Sequence, residues 1–323
     1  MQSSLKRSNY PYPVNLRSRL PTGSSPLGVS VIVPAYEAWP VLRRTLSAAL
    51  WDLRRLEGPW ELLVIDNESA PSLVREVRRL GRPGEALGVA RRSELSGRHF
   101  QPGAARNLGI EWARHECLIF LDADCVPSRD TFRRYAQLIG DDPEAVFIGH
   151  RVFIDAGGLD ADAIAADRGL LASAPQVASK SNYGEIYDRR LSELVDLDHH
   201  PRPYDCLFGC NFALHRSCLG KLRFDPAYDG FWGYEDIDLG LRLHWAGRRF
   251  QYAREAFVFH QEVAHLPESA RRFGRLRNLA VLERRCPGFI AYRSRSRRAG
   301  ALPDEVRASR RDGAALPLEA ARV

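Results

Sequence analysis

Asp122-Ala123-Asp124 directly follows the apolar run Cys117-Leu118-Ile119-Phe120-Leu121. Alternate residues of an extended segment point the same way, so both carboxylates are expected to face one ligand. Two hard oxygen donors at a strand end suit Mg²⁺ or Mn²⁺, with a phosphate filling the remaining positions. The competing reading is structural: Asp124 caps a helix beginning near Ser128. A second acidic group, Glu235-Asp236-Ile237-Asp238, follows Phe231-Trp232-Gly233-Tyr234. Acid at a helix N-terminus is favoured by the helix dipole, which accounts for the carboxylates but not for Trp232-Gly233 before them. A carboxylate within hydrogen-bond reach of a hydroxyl can take its proton as the oxygen attacks. Consecutive helical residues diverge by about 100°, so Glu235 and Asp236 cannot share that task.

The elements that position these residues alternate. Val29-Ser30-Val31-Ile32-Val33-Pro34 reads as a buried strand, and residues 39–56 as a helix ended by Gly58-Pro59. Leu62-Leu63-Val64-Ile65 is a second strand, running into Asp66-Asn67. A helix over 71–80, a strand near 86–91, a helix over 102–115 and the strand 117–121 follow. Such alternation predicts an α/β fold with a mostly parallel sheet flanked by helices. Ligands in such sheets bind beyond the carboxyl ends of the strands. Pro34-Ala35-Tyr36-Glu37, Asp66-Asn67 and Asp122-Ala123-Asp124 all fall at that edge.

The second half is less regular. Residues 155–203 are rich in Ala, Asp and Gly with weak periodicity and read as a mobile insertion on the acceptor side. Residues 208–214 and 256–260 read as strands and 234–246 as a helix. Residues 1–28 read as an extended arm, 29–292 as one domain and 293–323 as a basic tail. The domain divides into a nucleotide-binding half, 29–125, and an acceptor-binding half, 126–292.

Composition excludes little but disorder. The chain has 323 residues, 45% hydrophobic and 27% charged, with a net charge of +7. Only Lys6, Lys180 and Lys221 are lysines among the 47 basic residues, and the charge is dispersed until the last fifth, so no nucleic-acid partner is expected. The six cysteines form no CxxC pair and read as free thiols of a reducing compartment. No signal peptide and no membrane-spanning run is evident, which points to a cytoplasmic protein with at most peripheral membrane contact.

The pieces occur in an order that resembles the GT-A-type glycosyltransferases, most of all inverting family 2 and its galactosyltransferase-like relatives. Val29–Glu37 is similar to the family's opening strand, and Leu63–Asn67 to the strand whose aspartate contacts the nucleobase. Gly103-Ala104-Ala105-Arg106-Asn107-Leu108-Gly109 resembles its G-A-x-R-N-x-G helix, and Phe120–Asp124 its metal-binding DxD. Phe208–Arg216 resembles the donor and acceptor strand, and Phe231–Leu239 the W-G-x-E-D-x-D segment. The likeness spans roughly residues 29–262 and implies a GT-A, Rossmann-like fold. It implies a UDP- or GDP-sugar donor, an acceptor hydroxyl, Mn²⁺ or Mg²⁺, inversion, and a role in bacterial glycan or natural-product biosynthesis.

By the same resemblance Asp236 is the catalytic base and Glu235 orients the acceptor. Asp122, Asp124 and a histidine after the acidic helix hold the metal; His260 is that histidine, with His265 its rival. Pro34, Ala35, Tyr36, Glu37, Asp66, Arg106, Asp122, Ala123 and Asn211 are expected at the donor, Trp232 and Gly233 at the acceptor. Arg106 would meet diphosphate oxygens, which a guanidinium matches, or else be a surface arginine, and Asn107 would bond within the fold. Asp66 can accept from a uracil or guanine N–H, or cap its strand. Trp232 can stack on a sugar or pack in the core.

Other classes fit less well. A DxD phosphatase needs that motif on its first core strand, with a downstream lysine. A nucleotidyltransferase wants a Gly-rich, Lys-bearing loop after the first strand. An RNA-binding adaptor would cluster arginines with exposed aromatics, whereas Arg293–Arg298 lie in the tail. An inactive sugar-nucleotide-binding relative would not need both DxD and Glu-Asp.

Overall fold

In the computed structural model, residues 27–91, 101–178, 186–262 and 268–289 are described. The expected arm, apart from residues 27 and 28, the tail from 293 and His265 lie outside them. The chain divides into two compact units: Leu20–Asn278, and Met1–Arg19 together with Leu279–Val323. In the second unit the described stretch is 279–289, where the Gly288 N–H donates to Glu283 Oε1 at 2.6 Å.

The larger unit is built on ten strands: β1 (Val29–Ala35), β2 (Trp60–Asp66), β3 (Leu87–Arg91), β4 (Cys117–Leu121), β5 (Cys125–Pro127), β6 (Ala145–Ile148), β7 (Arg151–Ile154), β8 (Asn211–His215), β9 (Arg249–Tyr252) and β10 (Val258–Gln261). The helices that matter most are α1 (Trp39–Leu53), α2 (Val74–Arg78), α3 (Pro102–Trp112) and α4 (Thr131–Asp141). Seven strands form one sheet in the order β3-β2-β1-β4-β8-β6-β9. β1 runs parallel to β2 and β4, β2 to β3, and β6 to β9; β8 runs antiparallel between β4 and β6. The expected mostly parallel α/β sheet is therefore present.

β1 and β4 are buried along their whole length, which is why they read as unbroken apolar runs: helices cover both faces. α1 lays Leu42, Leu46, Leu50 and Leu53 on one side. α3 lies on the other, where Gly109 lets the helix approach so closely that a Cβ there would collide with Ile32. Asn107 of α3 bonds to the backbone of Phe224 through both ends of its amide, at 2.8 and 2.9 Å. The expected internal role for Asn107 is thus what the structure shows.

A second sheet, β5-β10-β7, was not legible in the sequence. Its register sets Cys125 opposite His260, so two residues far apart in the chain meet just beyond β4. The stretch 155–203 also differs from expectation. Its described residues carry α5 (Ala161–Ala166), α6 (Gly169–Ala172), α7 (Leu191–Leu194) and two 3₁₀ turns, Leu197–His199 and Pro203–Cys206. Helices this short show no 3.6-residue period, and buried charge anchors them. Arg168 donates to the carbonyls of Ala48, Pro127, Ile164 and Ala165. Asp188, fully buried, accepts from Arg151 and Arg190. The remaining helices are α8 (Arg216–Leu219), α9 (Glu235–Trp245) and α10 (Glu268–Arg285).

Candidate active site

β4 ends at Leu121, and the chain turns at once: the Cys125 N–H donates to Asp122 O at 3.1 Å. That turn separates the two carboxylates expected to face one ligand. Asp122 Oδ1 accepts from Arg106 Nη2 at 2.7 Å, whereas Asp124 Oδ2 lies 3.7 Å from His260 Nε2. The alternation rule fails here because Ala123 and Asp124 are in a turn, not in extended backbone.

Asp124, Cys125 and His260 bring one oxygen, one sulfur and one nitrogen within 4.8 Å of one another. Burial pushes the Cys125 thiol well above its ordinary range, which disfavours the thiolate while no cation is bound. Asp124 and His260 remain as donors, an oxygen and an imidazole that fit Mn²⁺ or Mg²⁺. His260 is buried, and its Nδ1 makes no hydrogen bond. Asp122, named in the sequence reading as a further ligand, is turned to Arg106 instead.

Arg106 projects from α3 and is 3% exposed. Its second nitrogen, Nη1, donates to Glu235 Oε1 at 3.2 Å. Burial works against its charge, but the carboxylates of Asp122, Glu235 and Asp236 outweigh burial and raise its pKa. The guanidinium expected at a diphosphate is thus engaged by two carboxylates, joining the end of β4 to the start of α9.

Glu235 and Asp236 open α9 after two left-handed residues, Gly233 (φ 94°) and Tyr234 (φ 73°). Burial, then the adjacent Asp236, pushes the Glu235 carboxyl up to about 7 against the pull of Arg106. Asp236 is also raised, by burial above all; the Gly209 N–H, Arg106 and the Ile237 N–H oppose the shift. Asp236 Oδ2 accepts from Gly209 N at 3.0 Å and Oδ1 from Ile237 N at 2.8 Å. Asp238, the third acid, is fully buried and structural: it accepts from Tyr228 Oη at 3.2 Å and Arg242 Nε at 2.8 Å.

Two residues expected at the donor are engaged within the fold. Asp66 is fully buried and caps its strand: Oδ1 accepts from the Ser69 N–H and Oδ2 from Ser72 Oγ and the Leu73 N–H. Asn211 is also fully buried; its Oδ1 accepts from Tyr135 Oη, and its Nδ2 donates to the carbonyls of Ala256 and His150. It braces β8. Pro34 and Ala35 have buried side chains within β1, while Tyr36 is exposed and Glu37 turns at φ 47° beyond it. Trp232 is half-buried beside Gly233, with the Arg271 and Arg275 guanidinium carbons 4.8 and 5.6 Å from its ring centroid.

Gly209 was missed. A Cβ there would collide with the Arg106 guanidinium, and its N–H holds Asp236. The glycine in Phe208-Gly209-Cys210 was the available signal.

Comparison with known proteins assigns the chain to a family. Residues 30–191 match the model of glycosyl transferase family 2, and the chain belongs to that family, with the GT-A fold. It is 26% identical over 274 residues to a chondroitin synthase of Pasteurella multocida, covering 81% of this chain and 28% of that protein. To a hyaluronan synthase of the same species it is 26% identical over 245 residues, covering 73% and 25%. The chain thus spans between a quarter and a third of the length of these relatives. Among solved structures it resembles S. aureus TarS residues 1–349 in complex with UDP-GlcNAc (TM-score 0.53, 18% identity, 76% of this chain and 61% of that one). It also resembles GalNAc-T7 with UDP, GalNAc and Mn²⁺ (TM-score 0.51, 19% identity, 74% and 44%). Among the described residues no helix is long and apolar enough to cross a membrane.

Proposed function

We propose that this chain transfers a sugar from a UDP-sugar to a hydroxyl of a glycan acceptor, with inversion, and that Asp236 is the general base. The observation that carries this reading is the Arg106 bridge, which brings the Asp122–Asp124 turn and the Glu235–Asp236 pair into one site at the carboxyl edge of the sheet. Glu235 is committed to Arg106, so it serves to orient. Asp236 is less buried than its neighbour and is held by backbone N–H groups, and its raised pKa makes it a stronger proton acceptor. As the acceptor oxygen bonds to the anomeric carbon, its proton passes to Asp236. The bond from that carbon to the phosphate oxygen breaks on the opposite face.

Asp124 and His260 would hold the divalent cation. When bound, such an ion offsets the negative charge of a leaving diphosphate. Tyr36 and Glu37, at the mouth of β1, would meet the nucleoside, and Trp232 the acceptor. The UDP-bound structural relatives support a UDP-sugar, and the chondroitin and hyaluronan synthases support a sugar acceptor.

The test is a hydrolysis screen of UDP-, GDP- and dTDP-sugars with Mn²⁺, following released nucleoside diphosphate. Slow release from UDP-sugars is expected. Binding of UDP without hydrolysis or transfer of any donor would instead mark an inactive sugar-nucleotide-binding protein.

A further inference from the structure

The acidic pair stands on a loop whose shape is set from outside. Residues 231–234 pass through the left-handed Gly233 and Tyr234 before α9 begins. A tyrosine in that conformation persists only where its surroundings fix it. Residues 268–278 of α10 supply the constraint. Asn278 is fully buried, and its Nδ2 donates to Phe231 O at 3.2 Å and Gly233 O at 2.7 Å. Its Oδ1 accepts from Arg277 Nη1 at 2.8 Å, and the same Arg277 nitrogen donates to Ala227 O. One turn earlier Gly274 meets the backbone of Trp232: a Cβ there would stand 2.8 Å from its N and 3.3 Å from its O. The Arg271 and Arg275 guanidiniums flank the Trp232 ring.

Simple packing would be served by an apolar residue at 278. A buried amide that satisfies two loop carbonyls is a directional device, because a carbonyl stripped of its donor in a buried place is costly. Asn278 grips the residues on either side of Trp232, and Glu235 follows Gly233 by two positions.

We propose that Asn278 is a positioning residue for sugar transfer, with α10 bracing the 231–234 loop so that Glu235 meets Arg106 and Asp236 faces the acceptor oxygen. This rests on the reading of Asp236 as base. The hydrogen bonds of Asn278 go to Phe231, Gly233 and Arg277, so donor binding and chemistry should separate.

The experiment measures UDP-sugar hydrolysis, with water as acceptor, and the Kd of UDP with Mn²⁺ by calorimetry, on the full chain and on Asn278→Ala, Asn278→Asp and Gly274→Ala. Hydrolysis kcat should fall at least tenfold in each variant, with donor KM and UDP Kd within twofold of wild type. A folded Asn278→Ala that hydrolyses within twofold of wild type overturns the proposal, as does a parallel loss of UDP binding. If Asn278→Ala does not fold, Gly274→Ala decides by the same limits, since it displaces the helix without stripping the amide. Wild-type protein that binds UDP but neither hydrolyses nor transfers any donor would defeat the base assignment itself, a result distinct from normal activity in the variants.

Discussion

Arg106 and Glu235 form an ion pair at 3.2 Å across 129 residues of sequence. The same guanidinium holds Asp122 at 2.7 Å, so the residue after β4 and the first residue of α9 share one cation. Without it, burial and mutual repulsion would act on these carboxylates unopposed.

Arg106→Met is therefore expected to cost about 3 kcal/mol of folding stability, the scale for stripping one partner from a buried pair. Activity should fall on the order of 10²-fold through misplacement of the acidic pair. Arg106→Lys should rescue little, because a single ammonium cannot span two carboxylates as the planar fork does. Urea unfolding and steady-state kinetics on both variants check this.

Chelation should abolish transfer and added Mn²⁺ should restore it. Asp124→Ala and His260→Ala should each weaken Mn²⁺ binding by at least tenfold, read by calorimetry. Cys125→Ser tests the third residue of the cluster: Mn²⁺ binding like wild type is expected if Asp124 and His260 carry the site, whereas a loss as large as theirs would make Cys125 a ligand. Full activity in EDTA would remove the metal assignment.

The pH dependence has a defined sign. The base must be deprotonated, and burial holds the Glu235 carboxyl near 7 and raises Asp236. Rates should fall as pH drops, on an acid limb above the usual carboxylate range that belongs to the pair. Glu235→Gln removes one member and its charge, so the limb should move to lower pH. A pH–rate profile of kcat/KM for both proteins tests the direction.

The elements nearest the site were the most legible. β1, β2 and β4 are buried on both faces, and short apolar runs ending in Pro34, Asp66 and Asp122 announce such strands. The carboxylates of Asp122, Asp124, Glu235 and Asp236 stood out for their context. What the sequence could not show is direction. The turn at Ala123–Asp124 gives the two carboxylates different partners, Arg106 and His260, and burial ties Asp66 and Asn211 into hydrogen bonds within the fold. Pairings between distant segments, such as Cys125 with His260 across the small sheet, have no local signature. Nor do α5 to α7, whose few residues cannot display a helical period.

The most direct test is Asp236→Asn, which keeps the shape and removes the proton acceptor. With donor and acceptor saturating, kcat should fall by roughly 10²–10⁴, while UDP affinity measured separately stays within twofold. Transfer at a near wild-type rate would contradict the assignment of Asp236 as base.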